Sequence, residues 1–436
     1  MIWIFVLICV FMVILMAYQR KAETKLLLVF LSFYLLLFVL SKTSLFGLSP
    51  IGDNSSFLYI IYMISMLIGG GCSSTIIPNT VIRSCGSHLV WGEKRLLVLT
   101  LMIMPIMLYL LYKSVIATIS IDNLALYRSL AIGSVSQESV IFGSKYIKYF
   151  YVIFVKTFIY TILIIGFVIF VKRGINLILV LSIAYLIIDS IIMLGRFNLL
   201  YIFVFYILAT SLRSSGLINN FKKYSWLFFA LFILFYLITF LRDGANHQSN
   251  VIEIVTNHLA LYFTMAFSIF DIELNNNNSL LNNFNSFGLS SLGSFGDVFF
   301  ILFKIMGADI LPPGGVVGAY LQSPFIIGYD DYSNPITGNA FGGILYSLYL
   351  DGGVVGIILF GFFYGFFLVY NLKSLKYNNN NNNNDNNYFY IFFLIYIGVA
   401  GFFQPILTGN WLIMMSFYFF ISIYLRHKMY RARNVR

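Results

Sequence analysis

The sequence predicts an all-α, polytopic transmembrane helix bundle of about eleven or twelve spans with one large outer loop. Three observations predict it. The chain is 60% hydrophobic and only 10% charged, against roughly 45–50% and 25% for soluble domains. Apolar runs near the ~20 residues needed to cross a ~30 Å hydrocarbon layer recur from end to end. The lysines and arginines fall in alternate connections between those runs. Runs such as Leu96 to Leu111 and Trp226 to Leu241 are continuous rather than alternating, which excludes the ~10-residue strands of a β-barrel. Helices remain, because they satisfy their own backbone polar groups in lipid.

In chain order the expected spans are 2–18, 26–41, 57–77, 96–117, 149–171, 175–194, 197–211, 224–241, 353–370, 388–407 and 411–425. The first has no basic residue ahead of it and no small-x-small cleavage pattern, so it reads as a retained span rather than a removed signal. The cations of one side are Arg20, Lys21 and Lys25; Arg83, Lys94 and Arg95; Lys172 and Arg173; Arg213, Lys222 and Lys223; Lys373 and Lys376; and the tail from Arg426 to Arg436. By the positive-inside rule this side is cytoplasmic, and the carboxyl terminus with it. The net charge of +11 is thereby read as topology and not as a nucleic-acid footprint. Cys9, Cys72 and Cys85 are odd in number and form no disulfide or metal framework.

The chain therefore divides into residues 1–241 with eight spans, a large outer loop at 242–351, and residues 352–436 with three spans and a basic tail. A further span hidden in the loop would make twelve and move the amino terminus inside. Within the loop, His258 to Phe270 and Phe295 to Ile310 are apolar but short or interrupted, and read as interfacial or re-entrant helices. Between them lies the Asn/Ser-rich stretch Asn275 to Ser294. A second tract, Asn378 to Asn387 broken by Asp385, reads as a solvated linker.

Ionisable groups inside apolar spans are costly and therefore informative. Lys156 and Asp189, on neighbouring spans, form either a proton or ion relay or a structural pair. Arg196, after Gly195, and Arg242, before Asp243 and His247, fall at outer ends of spans. A guanidinium there can grip a phosphate as a bidentate fork, or bond lipid headgroups. Asp330 and Asp331 open a turn-rich segment that runs through Asn339 to Tyr346, Tyr349 and Asp351. Aromatic faces beside carboxylates and amides suit sugars; they also suit an interface tyrosine belt with a capping aspartate.

Asn339-Ala340-Phe341, followed by Tyr346, Tyr349, Asp351-Gly352-Gly353, Gly356 and a glycine-spaced span, resembles the late signature of the O-antigen polymerases, the oligosaccharide repeat-unit polymerases of the Wzy type. Gly195-Arg196 before an apolar span and the large outer loop are similar to other features of that family. The resemblance implies a glycosyltransferase of a bacterial inner membrane. It would join undecaprenyl-diphosphate-linked oligosaccharides on the periplasmic face, with the large loop periplasmic. Arg196 and Arg242 would hold the diphosphate, and Asp243, His247 or Asp351 would serve as base. Asn339, Tyr346, Tyr349, Asp330 and Asp331 would bind sugar. No metal or cofactor is called for, and the partners implied are the lipid-linked oligosaccharide and membrane lipids, with a chain-length regulator and a flippase as further candidates. An O-antigen ligase would share the topology and leaving group; a flippase or transporter would instead show internal repeats and midplane charges.

Overall fold

The computed structural model describes residues 22–43, 47–76, 93–119, 127, 139–213, 229–230, 233–234, 236–238, 251–307, 313–329, 333–338, 342–377 and 384–433. The first expected span, most of the eighth, Cys9, Cys85 and the residues 378–383 lie outside them. The helices are α1 (Lys25–Ser41), α2 (Asp53–Ile76), α3 (Glu93–Leu101), α4 (Met104–Ile119), α5 (Lys145–Phe150), α6 (Lys156–Arg173), α7 (Leu177–Met193), α8 (Phe197–Leu212), α9 (Val251–Asn275), α10 (Leu280–Asn283), α11 (Gly293–Ile305), α12 (Pro313–Leu321), α13 (Gly343–Tyr377), α14 (Asp385–Ala400) and α15 (Trp411–Arg433). Two strands, β1 (Phe325–Tyr329) and β2 (Pro335–Gly338), separate α12 from α13.

Among the described residues, four helical stretches are long and apolar enough to cross a membrane: Asp53–Ile76, Glu93–Ile119, Tyr146–Arg173 and Gly343–Tyr377. Shorter apolar helices cover Lys25–Ser41, Leu177–Met193, Phe197–Leu212 and Trp411–Leu425. Helix is thus the dominant element, as expected. The hairpin is the exception: β1 and β2 pair antiparallel from Phe325↔Gly338 to Tyr329↔Pro335, with an irregularity between Ile326 and Gly328. Its β-branched and aromatic residues favour a pleated strand, and Pro335, which cannot donate to a ladder, stands at the strand's first position.

Two compact units form, one from residues 1–86 and 254–412, the other from 87–253 and 413–436. The first is built on α2 against α13. Glycines let these backbones meet: a Cβ on Gly365 would stand 2.0 Å from the Met66 carbonyl oxygen, and one on Gly69 1.9 Å from that of Phe362. Small residues at such seams are how membrane helices gain close packing without a hydrophobic driving force. At one end of α13 Lys373 donates to the Ser74 carbonyl at 2.9 Å and Lys376 pairs with Glu23 at 3.1 Å. Near its other end the helix breaks at Gly352 and Gly353, the latter at φ 55°, ψ −139°, a conformation open only to glycine. The expected span beginning at residue 353 starts at this break.

Helix α9 contains the stretch His258 to Phe270, expected as an interfacial or re-entrant helix, and is longer than that stretch. It runs for 25 residues, and every side chain from Thr264 to Phe270 is buried. Phe267 stacks on Tyr59 with ring centroids 4.4 Å apart, and Phe263 meets Phe33 edge-on. The Asn tract is corrected. Asn384, Asp385 and Asn387 are buried, and Asn387 Nδ2 donates to Ser374 Oγ at 2.8 Å, so the tract ends as the ordered start of α14 instead of a solvated turn.

In the second unit the expected fourth span is broken at Met102 and Ile103, one residue before Met104-Pro105. Proline there has no N–H to bond back to residue 101 and its ring crowds that carbonyl. Between α5 and α6 the helix widens into a π-turn over Tyr151–Val155.

Candidate functional site

Two acidic residues of the first unit, Asp271 and Glu273, lie at the end of α9, and Glu273 meets the start of α13. Glu273, 1% exposed, lies in the last turn of α9. Tyr320 of α12 donates its hydroxyl to Oε1 at 3.0 Å, and Tyr346 of α13 donates to Oε2 at 3.3 Å. The backbone N–H groups of Leu280 and Leu281 bond it as well. Burial raises its pKa above the ordinary carboxylate value, and these four donors offset part of that rise. Two residues earlier, Asp271 accepts from the Gly52 N–H at 2.9 Å, from Asn275 Nδ2 at 3.2 Å and from Ser55 Oγ.

The Asn-rich stretch that follows is a built turn. The last carbonyls of a helix have no partner within it, and here asparagine side chains supply one. Asn282 Nδ2 bonds the carbonyls of Leu274 and Asn276 at 3.1 and 2.9 Å. Asn283 Nδ2 bonds that of Asn277 at 2.7 Å. Ser279 then caps α10 by accepting from the Asn282 N–H at 3.2 Å. This turn brings the Leu280 and Leu281 N–H groups back onto Glu273.

Three of the expected site residues, Tyr346, Tyr349 and Asp351, lie in α13. Asp351 accepts from the Ser290 and Ser291 N–H groups at 3.0 and 2.7 Å and from Ser286 Oγ. It thereby ties the 286–291 turn to the break in α13. Tyr346 is fully buried and bonded to Glu273, so it is no open sugar platform. Tyr349 is half-buried and meets Phe270 edge-on. Arg242, Asp243, His247, Asp330, Asp331 and Asn339 lie outside the described residues. Glu273 and Tyr320 were missed by reading the sequence. The available signal was a pair of acids, Asp271 and Glu273, closing an otherwise apolar stretch.

Asp297 of α11 stands beside Gly314 and accepts from the Gly315 N–H, and burial pushes its carboxyl up to about 6. The folded protein thus favours the protonated form. That contribution is complete below the ordinary value of 3.8 and is lost as pH rises through about 6. Asp297→Asn is therefore expected to be more stable than the parent at pH 7.5 by ~1–2 kcal/mol, after screening at this partly exposed site, with the gap closing towards pH 4. Thermal melts in detergent across that range measure it. A constant gap at all pH values would refute the assignment.

The second unit carries a separate polar cluster. Lys156 Nζ lies 2.8 Å from Asp189 Oδ2, Tyr151 donates to Oδ1 at 2.6 Å and Asn198 Nδ2 to Oδ2 at 2.7 Å. Tyr151 and Lys156 are five residues apart, roughly 140° around an α-helix. The π-turn between them brings both onto the same carboxylate. Arg196 opens α8 just after Leu194, which adopts the left-handed conformation at φ 45°. It is 7% exposed, and not the open surface guanidinium expected.

Fold and clusters together define a helical protein with several membrane-length apolar helices and buried polar groups at specific helix ends. No protein-family model, curated protein or solved structure matches the chain.

Proposed function

We propose that the chain is a membrane glycosyltransferase, a polymerase that joins undecaprenyl-diphosphate-linked oligosaccharide units of O-antigen or capsule on the periplasmic face of a bacterial inner membrane. The observation that carries this reading is the family resemblance of the sequence Asn339 to Gly356, one residue of which, Tyr346, bonds Glu273 in the Glu273–Tyr320–Tyr346 cluster. In the transfer, an acceptor hydroxyl oxygen bonds the anomeric carbon of the growing glycan. The carbon–oxygen bond to the diphosphate breaks, and the diphosphate leaves with the electron pair. Half-exposed Tyr320 receives the acceptor's proton while passing its own to Glu273. This is general-base catalysis through a hydrogen-bonded carboxylate. A base whose pKa is raised towards neutrality holds that proton better than an ordinary carboxylate.

Deleting the gene and resolving surface polysaccharide on a gel tests the proposal. Single-unit capping is the expected result, whereas an unchanged ladder would sink it. Loss of all capping would indicate a ligase or flippase. Complementation with Glu273→Gln and Tyr320→Phe, at normal membrane abundance, is expected to shorten the ladder by a rate loss of ~10²–10⁴. A transporter is the second reading, favoured by the Lys156–Asp189 pair inside apolar helices, whose carboxylate is fully buried.

A further inference from the structure

The direction of α9 is fixed by the order in which it meets its neighbours. Phe33 of α1 faces Phe263 and Tyr34 faces Phe267, at centroid distances of 5.5 and 5.7 Å. Just past the end of α1, the Gly52 N–H donates to Asp271 at 2.9 Å. The two helices thus advance in the same direction. Against α2 the order is reversed: Tyr59 stacks on Phe267, and four residues earlier Ser55 bonds Asp271. Helix α9 therefore ends where α1 ends and α2 begins. The Tyr346–Glu273 bond at 3.3 Å places the start of α13 there as well.

Cations mark the opposite face of this unit. Lys25 opens α1, Lys373 bonds the Ser74 carbonyl near the end of α2, and Lys376 pairs with Glu23 ahead of α1. By the positive-inside rule that face is cytoplasmic. Twenty residues back from Asp271 is Val251, the first residue of α9, ~30 Å away at the helical rise of ~1.5 Å per residue. Twenty residues on from Ser55 is Thr75, next to the carbonyl that Lys373 bonds. Antiparallel α9 is thus long enough to cross the layer that α2 crosses. Its residues 254–270 contain no Asp, Glu, Lys or Arg, and ~17 such residues are the short end of the range that spans a bilayer.

The second unit fixes the approach to α9 by its own cations. Arg173, 3.5 Å from Glu93, closes α6, and Arg213, 5.3 Å from the Phe170 ring, follows α8. Both helix ends are cytoplasmic by the same rule. The chain therefore leaves α8 and enters α9 on one side of the membrane, and a single crossing by the apolar run 224–241 does not fit between them. We infer that α9, in place of that run, carries the chain from the cytoplasmic to the outer face. The outer loop then begins after Asn275 rather than at Arg242. Asp271 and Glu273 reach the outer face at the end of α9, whereas Arg242, Asp243 and His247 precede Val251 and belong to the cytoplasmic side. They are thereby removed from any outer diphosphate or base site.

Single cysteines in the full chain, in a Cys9→Ala/Cys72→Ala/Cys85→Ala background, test this with a membrane-impermeant maleimide on sealed right-side-out vesicles. Asn277→Cys, at an exposed position two residues past α9, is expected to be labelled. Ser249→Cys, two residues ahead of α9, is expected to stay unlabelled until the vesicles are opened and to be labelled then. Labelling of Ser249→Cys in sealed vesicles would overturn the assignment, since 224–241 would then cross. So would its protection after opening, or protection of Asn277→Cys before it. A protease site inserted between Gln248 and Ser249 repeats the measurement without cysteine chemistry. Cleavage is expected in inverted vesicles and not in right-side-out ones, and the reverse would again overturn the assignment. Neither readout involves polymerisation, so the direction of α9 stands or falls apart from the polymerase reading.

Discussion

Lys156→Ala is expected to destabilise the protein by about 3–5 kcal/mol, because it strips the countercharge from a carboxylate that has no access to water. Asp189 is 0% exposed, whereas the Lys156 side chain is 26% exposed, so the loss falls on the anion. Tyr151 and Asn198 would still donate, but dipoles do not neutralise a whole charge. The double variant Lys156→Met/Asp189→Asn is expected to recover most of the loss, since exchanging both partners of a buried pair is often close to neutral. Unfolding by titration with a denaturing detergent in mixed micelles measures both. If the single and double variants were equally unstable, the pair would not be the source, and packing of the lysine stem would be.

The second large effect is expected at the seam of α2 and α13. Gly365→Ala puts a methyl 2.0 Å from the Met66 carbonyl oxygen, where the obstructing atom is backbone and cannot swing away as a side chain would. The helices must separate along a seam that also contains Gly69 and Gly361, and the cost is expected to reach or exceed the upper end of the ~1–3 kcal/mol usual for overpacking. Gly365→Leu should prevent accumulation of folded protein. Gly318→Ala in α12 is the control: nothing lies within 4 Å of its Cβ position, it sits in regular helix, and its effect should remain within about 1 kcal/mol of neutral. A melt in which the two alanine variants were indistinguishable would show that the close approach does not limit stability.

The positions of most membrane-length helices were legible in the sequence because the signal is local: an apolar run of sufficient length, bounded by cations, folds as a helix in lipid whatever surrounds it. The same locality explains the expected starts at 26, 175, 197 and 411, each within two residues of a helix start at Lys25, Leu177, Phe197 and Trp411. It also explains why the Lys156–Asp189 pair could be named but not assigned. Which of its two roles it takes depends on a π-turn that no spacing rule announces.

Polar composition misled for the complementary reason. The tract Asn378 to Asn387 reads as a solvated linker, since an isolated amide prefers water. Yet Asn387, buried at the start of α14, finds the Ser374 hydroxyl at 2.8 Å, and a satisfied amide loses little by burial.

What the sequence determined by itself was a helical membrane class, the approximate places of its apolar helices, and the few ionisable groups within them. Only the tertiary structure decided which groups act together. Glu273 meets Tyr320 and Tyr346 across 47 and 73 residues of chain, and Asp351 spends its lone pairs on a turn 60 to 65 residues upstream. Hydrogen bonds of that kind form or fail within a few tenths of an ångström, and residue order fixes helix periodicity but not the distances between helices.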